Sequence, residues 1–256
     1  MAVEAGTKRG GQPLLSGIRG VLFDFDGPVC RLFPNESSRP VADELRDMLV
    51  REGVKQLLTA SEEQNKDPHV VLQAVHRGRP KRDQLVRAME ELVSRREVAA
   101  TQKALPTPGA VELIHRLWKN GLRLAVVTNN SPSAADRYLR DWGVRDQFGA
   151  IHGRSSDPDL MKPHPHVVLC ALRSLGLGPT EAVMIGDTPT DLEAARHAGV
   201  RFIGYGRNEL KQQRLRDAGA EDVLGAYAPL LDEMGEKGAA AHEPGARSLG
   251  EPAACL

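Results

Sequence analysis

No charge of either sign predominates in this chain. Its 256 residues carry 34 Lys and Arg against 34 Asp and Glu, a formal net charge of zero. The basic excess that a nucleic-acid backbone demands is missing, so nucleic acid is not an expected partner. Long apolar runs are missing as well. No stretch approaches the roughly 20 residues that span a bilayer, and Met1–Gly17 lacks the continuous apolar run of a signal peptide. The expectation is a cytoplasmic protein with no membrane partner. Cysteine is sparse: Cys30, Cys170 and Cys255 stand at no metal-ligand spacing, which argues against a disulfide framework. Internal repeats are absent. What is there is ordinary globular composition, 41% hydrophobic and 27% charged, in a length that suits one core with a smaller inserted unit.

The patterning divides the chain. Residues 1–17 read as a flexible tail. Gly20-Val-Leu-Phe-Asp-Phe-Asp-Gly27 is an apolar run ending in two carboxylates and a glycine, the form of a buried parallel strand that delivers polar groups at its carboxyl end. Residues 35–104 change character: apolar residues recur at three- and four-residue spacing over Val41–Gly53, Pro68–Gly78 and Gln84–Val98, giving each helix one apolar face. Gly78-Arg-Pro80 interrupts them. From Pro106 onward strands and helices alternate. Strands are expected over Leu122–Thr128, near Ala150-Ile151, and over Ala182–Ile185 and Arg201–Gly204, with helices over Ser133–Gly143, His166–Leu175 and Asp191–Ala198. Alternation of this kind predicts an α/β fold with a parallel, Rossmann-like sheet. The expected core is residues 18–34 and 105–232, with a helical cap inserted at 35–104 and a disordered tail at 233–256, where no periodic face is available to bury.

Four predicted strand ends carry polar residues: Asp24 and Asp26 at the first, Thr128-Asn129 at the second, Lys162 before the loop Pro163-His-Pro165, and Gly186-Asp187 with Asp191 at the last. In such sheets ligands bind beyond the carboxyl ends of the strands. Asp24 and Asp26, two apart, can point the same way. Two nearby carboxylates repel, and a divalent cation relieves that; an oxygen-lined site with few protein ligands suits Mg²⁺, which also takes a substrate phosphate. Lys162 adds fixed positive charge, Thr128 a hydroxyl, and the N–H groups of the next helix start favour an anion. The sum is a carboxylate nucleophile facing a phosphate. Any one piece has an ordinary structural reading, as a turn, a helix cap or a solvated lysine. Their order and shared placement carry the functional one.

These four motifs together resemble the haloacid-dehalogenase superfamily of phosphatases, in its phosphoglycolate-phosphatase-like branch with a helical cap, over roughly residues 18–227. The resemblance implies a Mg²⁺-dependent hydrolysis of a small phosphorylated metabolite. It implies Asp24 as nucleophile and metal ligand, and Asp26 as general acid and base with its backbone carbonyl on the metal. Thr128 and the Asn129 N–H would bind phosphate, and Lys162 would neutralise both nucleophile and phosphoryl group. Asp187 would ligate Mg²⁺, with Asp191 supporting it. Aspartate at position 26 fits phosphatases and sugar phosphomutases rather than dehalogenases or transport ATPases. Pro28 departs from the Thr or Val more usual there, and bears on the turn after the nucleophile.

A sugar phosphomutase using the same aspartate, a phospho-ligand-binding regulatory protein without turnover, and a phosphorus–carbon hydrolase using a cap lysine (Lys55, Lys66 or Lys81) stand as alternatives. His164 and His166 flank Pro165 without a third ligand, and read as loop residues before they read as a metal site. Arg77, Arg79, Lys81 and Arg82 form a basic run that is either a solvated helix end or a substrate-facing cap loop.

Overall fold

The computed structural model describes residues 13–34, 38–54, 56–79 and 83–235. Strand β1 (Gly20–Phe23) leads into a short β2 (Cys30–Arg31). Four helices follow: α1 (Arg39–Arg51), α2 (Ala60–Gln64), α3 (Pro68–Gly78) and α4 (Gln84–Ala100). The chain returns through β3 (Leu105–Pro106) and then alternates: α5 (Ala110–Lys119), β4 (Arg123–Val127), α6 (Pro132–Asp141), β5 (Phe148–His152), α7 (His166–Leu175), β6 (Ala182–Gly186), α8 (Pro189–His197), β7 (Arg201–Tyr205), α9 (Glu209–Asp217), β8 (Asp222–Leu224) and α10 (Ala228–Met234).

The main sheet has the order β5-β4-β1-β6-β7-β8, and every pairing in it is parallel. Its strands are buried on both faces, and the two-residue period of the strand sorts them. Val21, Phe23, Leu124, Val126, Val183 and Ile185 pack into one apolar cluster. The alternate residues Leu22, Ala125, Val127, Ala182 and Met184 pack into another. From β1 the chain builds outward to β4 and β5 on one side, then to β6, β7 and β8 on the other. That reversal makes β1 the topological switch point, where a crevice opens.

Helices α1, α3 and α4 bury their faces on one another: Leu45, Leu49, Val71, Leu72, Val75, Met89 and Val93 form a third, separate cluster. Capping sets where these helices begin. Asp67 accepts from His69 N and Asp83 from Leu85 N, each at a helix start. The chain enters and leaves this helical unit side by side, because β2 and β3 pair antiparallel, Cys30 opposite Pro106 and Arg31 opposite Leu105. The last turn of α4 leans on the sheet domain instead, with Val98 and Ala100 against the main cluster.

The tails expected at the two ends meet in the fold. Leu14 is buried, and the N–H groups of Leu14 and Leu15 donate to Glu233 Oε1 and Oε2 at 2.7 and 3.1 Å. Pro13–Gly17 and the Glu233 end of α10 are therefore packed structure. Residues 1–12 and 236–256, like Lys55, Pro80, Lys81 and Arg82, lie outside the described residues. No helix among the described residues is long and apolar enough to cross a membrane.

Candidate active site

Strand β1 stops at Phe23, one residue short of the motif, and Asp24 continues the ladder by a single bond from its N–H to Ile185 O at 2.9 Å. The chain then turns. Phe25 O accepts from Val29 N at 3.2 Å and Cys30 N at 3.1 Å, and Gly27 N donates to Cys30 O at 2.7 Å. Asp26 thus sits in the turn, not on the strand, with Oδ1 accepting from Leu32 N at 2.9 Å. Pro28 fits because the turn asks no N–H of it; its carbonyl accepts from Tyr227 Oη at 2.8 Å. Gly27 is obligatory. Its φ is +125°, and a Cβ there would lie 2.4 Å from the Asp187 carboxylate.

Lys162 is the buried hub. Its Nζ lies 2.8 Å from Asp24 Oδ1 and 2.6 Å from Asp191 Oδ1, and donates to Val127 O at 3.0 Å. The Asn129 side chain clasps the lysine's backbone from both sides: Lys162 N donates to Oδ1 at 2.7 Å and Nδ2 donates to Lys162 O at 3.1 Å. Asp191 is anchored through one oxygen. Its Oδ2 accepts from Asp187 N and Thr188 N, each at 3.0 Å, and from Thr188 Oγ1 at 2.7 Å, a capping arrangement at the start of α8. Gly186 makes room for it, since a Cβ there would meet Asp191 Cβ at 2.5 Å. Asp187 Oδ2 is paired to Lys211, from the first turn of α9.

Burial pushes the Asp24 and Asp187 carboxyls above the ordinary carboxylate range; for each, a neighbouring lysine opposes the shift and Asp191 adds to it. Asp26 is raised to about 6, mainly by burial. For Lys162 burial opposes the charge, but Asp191 and Asp24 outweigh it and the ammonium is held well into its charged form.

The arrangement has a place for a cation. Asp24, Asp187 and Asp191 each offer an oxygen, all within 4.8 Å of one another. Asp187 Oδ1 is buried with no hydrogen-bond partner. Asp191 has its Oδ2 fully used and its Oδ1 paired to Lys162, so Asp24 and Asp187 are the freer carboxylates to hold a hard divalent ion, a donor set that fits Mg²⁺.

The sequence-predicted residues Asp24, Asp26, Thr128, Asn129, Lys162, Asp187 and Asp191 gather at the carboxyl ends of β1, β4 and β6 and on the loop before α7. Thr128 is buried, its Oγ1 donating to Asn130 Oδ1 at 3.1 Å. His164 and His166 lie outside both metal-competent groups found among the described residues. Arg77 and Arg79 pair within the helical unit, to Glu62 at 2.6 Å and Asp83 at 2.9 Å. A cavity of about 430 Å³ opens where Gln73 and Arg77 face Met161, Pro163 and His164, and none of the clustered carboxylates lines it. Lys211, Asn130 and Glu97 were not legible as site residues. They lie in helices and turns without motif spacing, and only the fold brings them in.

The sequence model of the haloacid dehalogenase-like hydrolase family matches residues 18–199, a span that takes in every site residue from Asp24 to Asp191. The chain belongs to this family. As a haloacid dehalogenase-like hydrolase it is an enzyme of the phosphatase group. It is 29% identical to the phosphoglycolate phosphatase of Yersinia pseudotuberculosis over 225 residues, 85% of this chain and 94% of that one. It is 33% identical to the phosphoglycolate phosphatase of Rhodospirillum rubrum over 132 residues, about half of each chain (50% and 52%). Among solved structures, CbbY from Rhodobacter sphaeroides in complex with phosphate superposes with a TM-score of 0.62 at 25% identity, covering 83% of this chain and 96% of that one.

Lys162→Met tests the hub of this hydrolase. It leaves Asp24 and Asp191 buried with no ammonium between them, and breaking a buried pair from one side typically costs about 3–5 kcal/mol. The stranded Asp24 carboxyl, already raised by burial, would then rise further above the unfolded value of about 3.9. The folded state would bind the extra protons, so the loss should shrink as pH falls from 8 to 5. Urea unfolding at both pH values measures it. An equal loss at both would mean that the lysine is not neutralising carboxylates.

Proposed function

We propose that this hydrolase is a Mg²⁺-dependent phosphatase that cleaves a small phosphate monoester through a phosphorylated Asp24. The observation that carries the reading is the buried lysine held between Asp24 and Asp191, with the orphaned oxygen of Asp187 beside them. An ammonium at 2.8 Å favours the ionised form of Asp24 against the effect of burial, and leaves its other oxygen to attack phosphorus. As the Asp24 O–P bond forms, the P–O bond to the leaving group breaks, and Asp26 passes its proton to the departing oxygen. Asp26 then takes a proton from water, whose oxygen attacks phosphorus and frees Asp24 and phosphate. A carboxyl held near 6 suits both steps, because it is close to either protonation state at neutral pH. When bound, the metal would neutralise phosphate charge that the carboxylates otherwise repel.

Phosphate enters, on this reading, between Lys162 and the Asn129 N–H. The Thr128 hydroxyl borders it, held in place by Asn130. The helical unit α1–α4 acts as the cap over the strand ends, shedding water during the first transfer. The small metabolite class is supported by relatives named as phosphoglycolate phosphatases and by a similar structure of CbbY holding xylulose-(1,5)-bisphosphate. The test is phosphate release from a panel of phosphorylated metabolites, phosphoglycolate and sugar bisphosphates first. Free phosphate with no isomerised sugar phosphate is expected in Mg²⁺. Isomerised product alone would make the chain a phosphomutase, and phosphate tightly bound with no turnover of any ester would make it a binding protein.

A further inference from the structure

The helical cap touches the phosphate turn through one buried carboxylate that the chemistry above does not use. Glu97, one turn from the end of α4, is only 1% exposed. It accepts from Asn130 Nδ2 at 2.9 Å and Ser131 N at 2.7 Å, and from Arg154 Nη1 and Nη2 at 3.0 and 3.1 Å, all on the sheet domain. From α3, His69 Nε2 closes in at 2.8 Å. Arg154 is spent on the same node: Nη1 also donates to Asn129 O at 2.8 Å and Nη2 to Ser94 Oγ at 2.8 Å. Burial would raise the Glu97 carboxyl, but the bond from His69 and the charge of Arg154 outweigh it and hold the group down to about 2.

Two consequences follow from the chemistry of acceptors. First, Ser131 opens α6, and its N–H is one of the orphan donors that make a helix start an anion site. Here that anion is the protein's own Glu97. Second, a carboxylate can only accept, so Asn130 must turn its NH₂ to Glu97 and its Oδ1 to Thr128. Asn130 Oδ1 then receives the Thr128 hydroxyl proton at 3.1 Å, while Asn130 N donates back to the same Oγ1 at 3.1 Å. Glu97 thereby sets the direction of a hydroxyl two hydrogen bonds away.

We propose that Glu97 is a positioning residue of the phosphate site, coupling the seating of α4 on the sheet domain to the geometry of the Thr128–Ser131 turn. The inference rests on the phosphatase reading for its purpose, though not for its structural content. An α4 displaced from its seat strips Ser131 N, Asn130 Nδ2 and Arg154 of their acceptor at once, and the turn that must receive phosphate loses its shape. The cap then acts on the reaction from its root, as well as from any surface it lays over the substrate.

The test is Glu97→Gln in the full chain. Volume is kept, but an NH₂ now faces one of the four core donors, so one contact becomes repulsive. Affinity for inorganic phosphate in the presence of Mg²⁺, read by calorimetry, should fall at least tenfold. KM for esters should rise by a similar factor, with a smaller change in kcat. Amide hydrogen exchange should quicken at residues 129–131 and stay unchanged in β1 and β6. Asn130→Ala removes the relay while keeping the Glu97–Arg154 pair, and should give the same loss of phosphate affinity; adding Glu97→Gln to it should then cost little more. This second variant also carries the test should Glu97→Gln fail to fold. Wild-type phosphate affinity together with wild-type exchange at 129–131 in either single variant would overturn the coupling. Phosphate binding by neither wild type nor variant would strike at the phosphatase reading instead, and the exchange comparison would still decide the coupling.

Discussion

Asp24→Asn should abolish turnover of every ester, by roughly 10⁴–10⁶-fold, the scale seen when a hydrolase loses its nucleophile. An amide is a poor nucleophile. Asp191 cannot readily take its place, with Oδ2 held by Thr188 and the Asp187 N–H and Oδ1 paired to Lys162. The loss should not depend on the leaving group, because the bond that fails to form is the one to phosphorus. Asp26→Asn should behave differently. General acid catalysis contributes about 10²–10⁴-fold, and only where the departing oxygen needs a proton. Alkyl phosphates should therefore suffer far more than p-nitrophenyl phosphate. Single-turnover bursts with both ester types on both variants separate the roles. Equal losses for good and poor leaving groups in Asp26→Asn would reduce Asp26 to a structural part of the turn. A phosphorylated Asp24→Asn variant would remove Asp24 from the chemistry.

Chelation should have the second largest effect, a complete and Mg²⁺-reversible loss of activity, with full turnover in metal-free buffer as the refuting result. Binding itself should be visible without turnover. Asp24 and Asp187 carry carboxyls raised by burial, and Asp26 stands near 6. A cation favours their ionised forms, so its binding must expel protons, and the apparent affinity must fall as pH drops below about 7. Calorimetry at pH 6 in two buffers of unlike ionisation enthalpy should give unlike heats; identical heats would mean that the carboxylates were already ionised. Lys211 adds a term of its own. Its ammonium rests on Asp187, where a metal would bind, and has to withdraw. At pH 8, Lys211→Gln should tighten Mg²⁺ binding roughly tenfold, which corresponds to about 1.4 kcal/mol. Unchanged affinity would show that the lysine swings aside without cost.

The sheet domain was largely legible because its signals are local. The runs at β1, β4 and β6 are continuous and apolar, as doubly buried strands must be, and α3 and α7 begin and end where periodicity puts them. The elements after β7 went unread for a physical reason. Helix α9 buries only Leu215 and β8 is three residues long, so neither has a period to detect. Each short strand of the pair β2–β3 is held by the other alone, 74 residues on from Arg31 to Leu105. Within the site, Asp24 and Asp187 were legible because they directly follow apolar strands, and Asp26, Lys162 and Asp191 because they stand in the turn, loop and helix start that follow in order. Glu97 was not. It follows Arg95-Arg96 on a helix whose other charges are mostly solvated, and the partner that makes it special, Arg154, lies 57 residues on. Buried polar nodes assembled from distant loops leave no local trace. The separate packing of α1, α3 and α4 was foreseeable from their apolar faces, but the seating of α4's last turn on the sheet domain was not, since Val98 and Ala100 continue the same helix without a break.

The antiparallel pair of Cys30–Arg31 with Leu105–Pro106 bears on how such proteins diversify. Because the chain departs from the sheet domain and rejoins it at adjacent strands, about 4.8 Å apart, everything between is topologically a side loop. It can be swapped for an insert of another size with little change in the entropy of closing the domain. The natural cut is nevertheless not at the strand pair. Excising the segment as far as Leu105 would take Glu97 with it, leaving Arg154 a buried guanidinium without its counter-charge and the first N–H of α6 without an acceptor. An exchangeable cassette in this chain ends before Ser94, and the last two turns of α4 are inherited with the catalytic half.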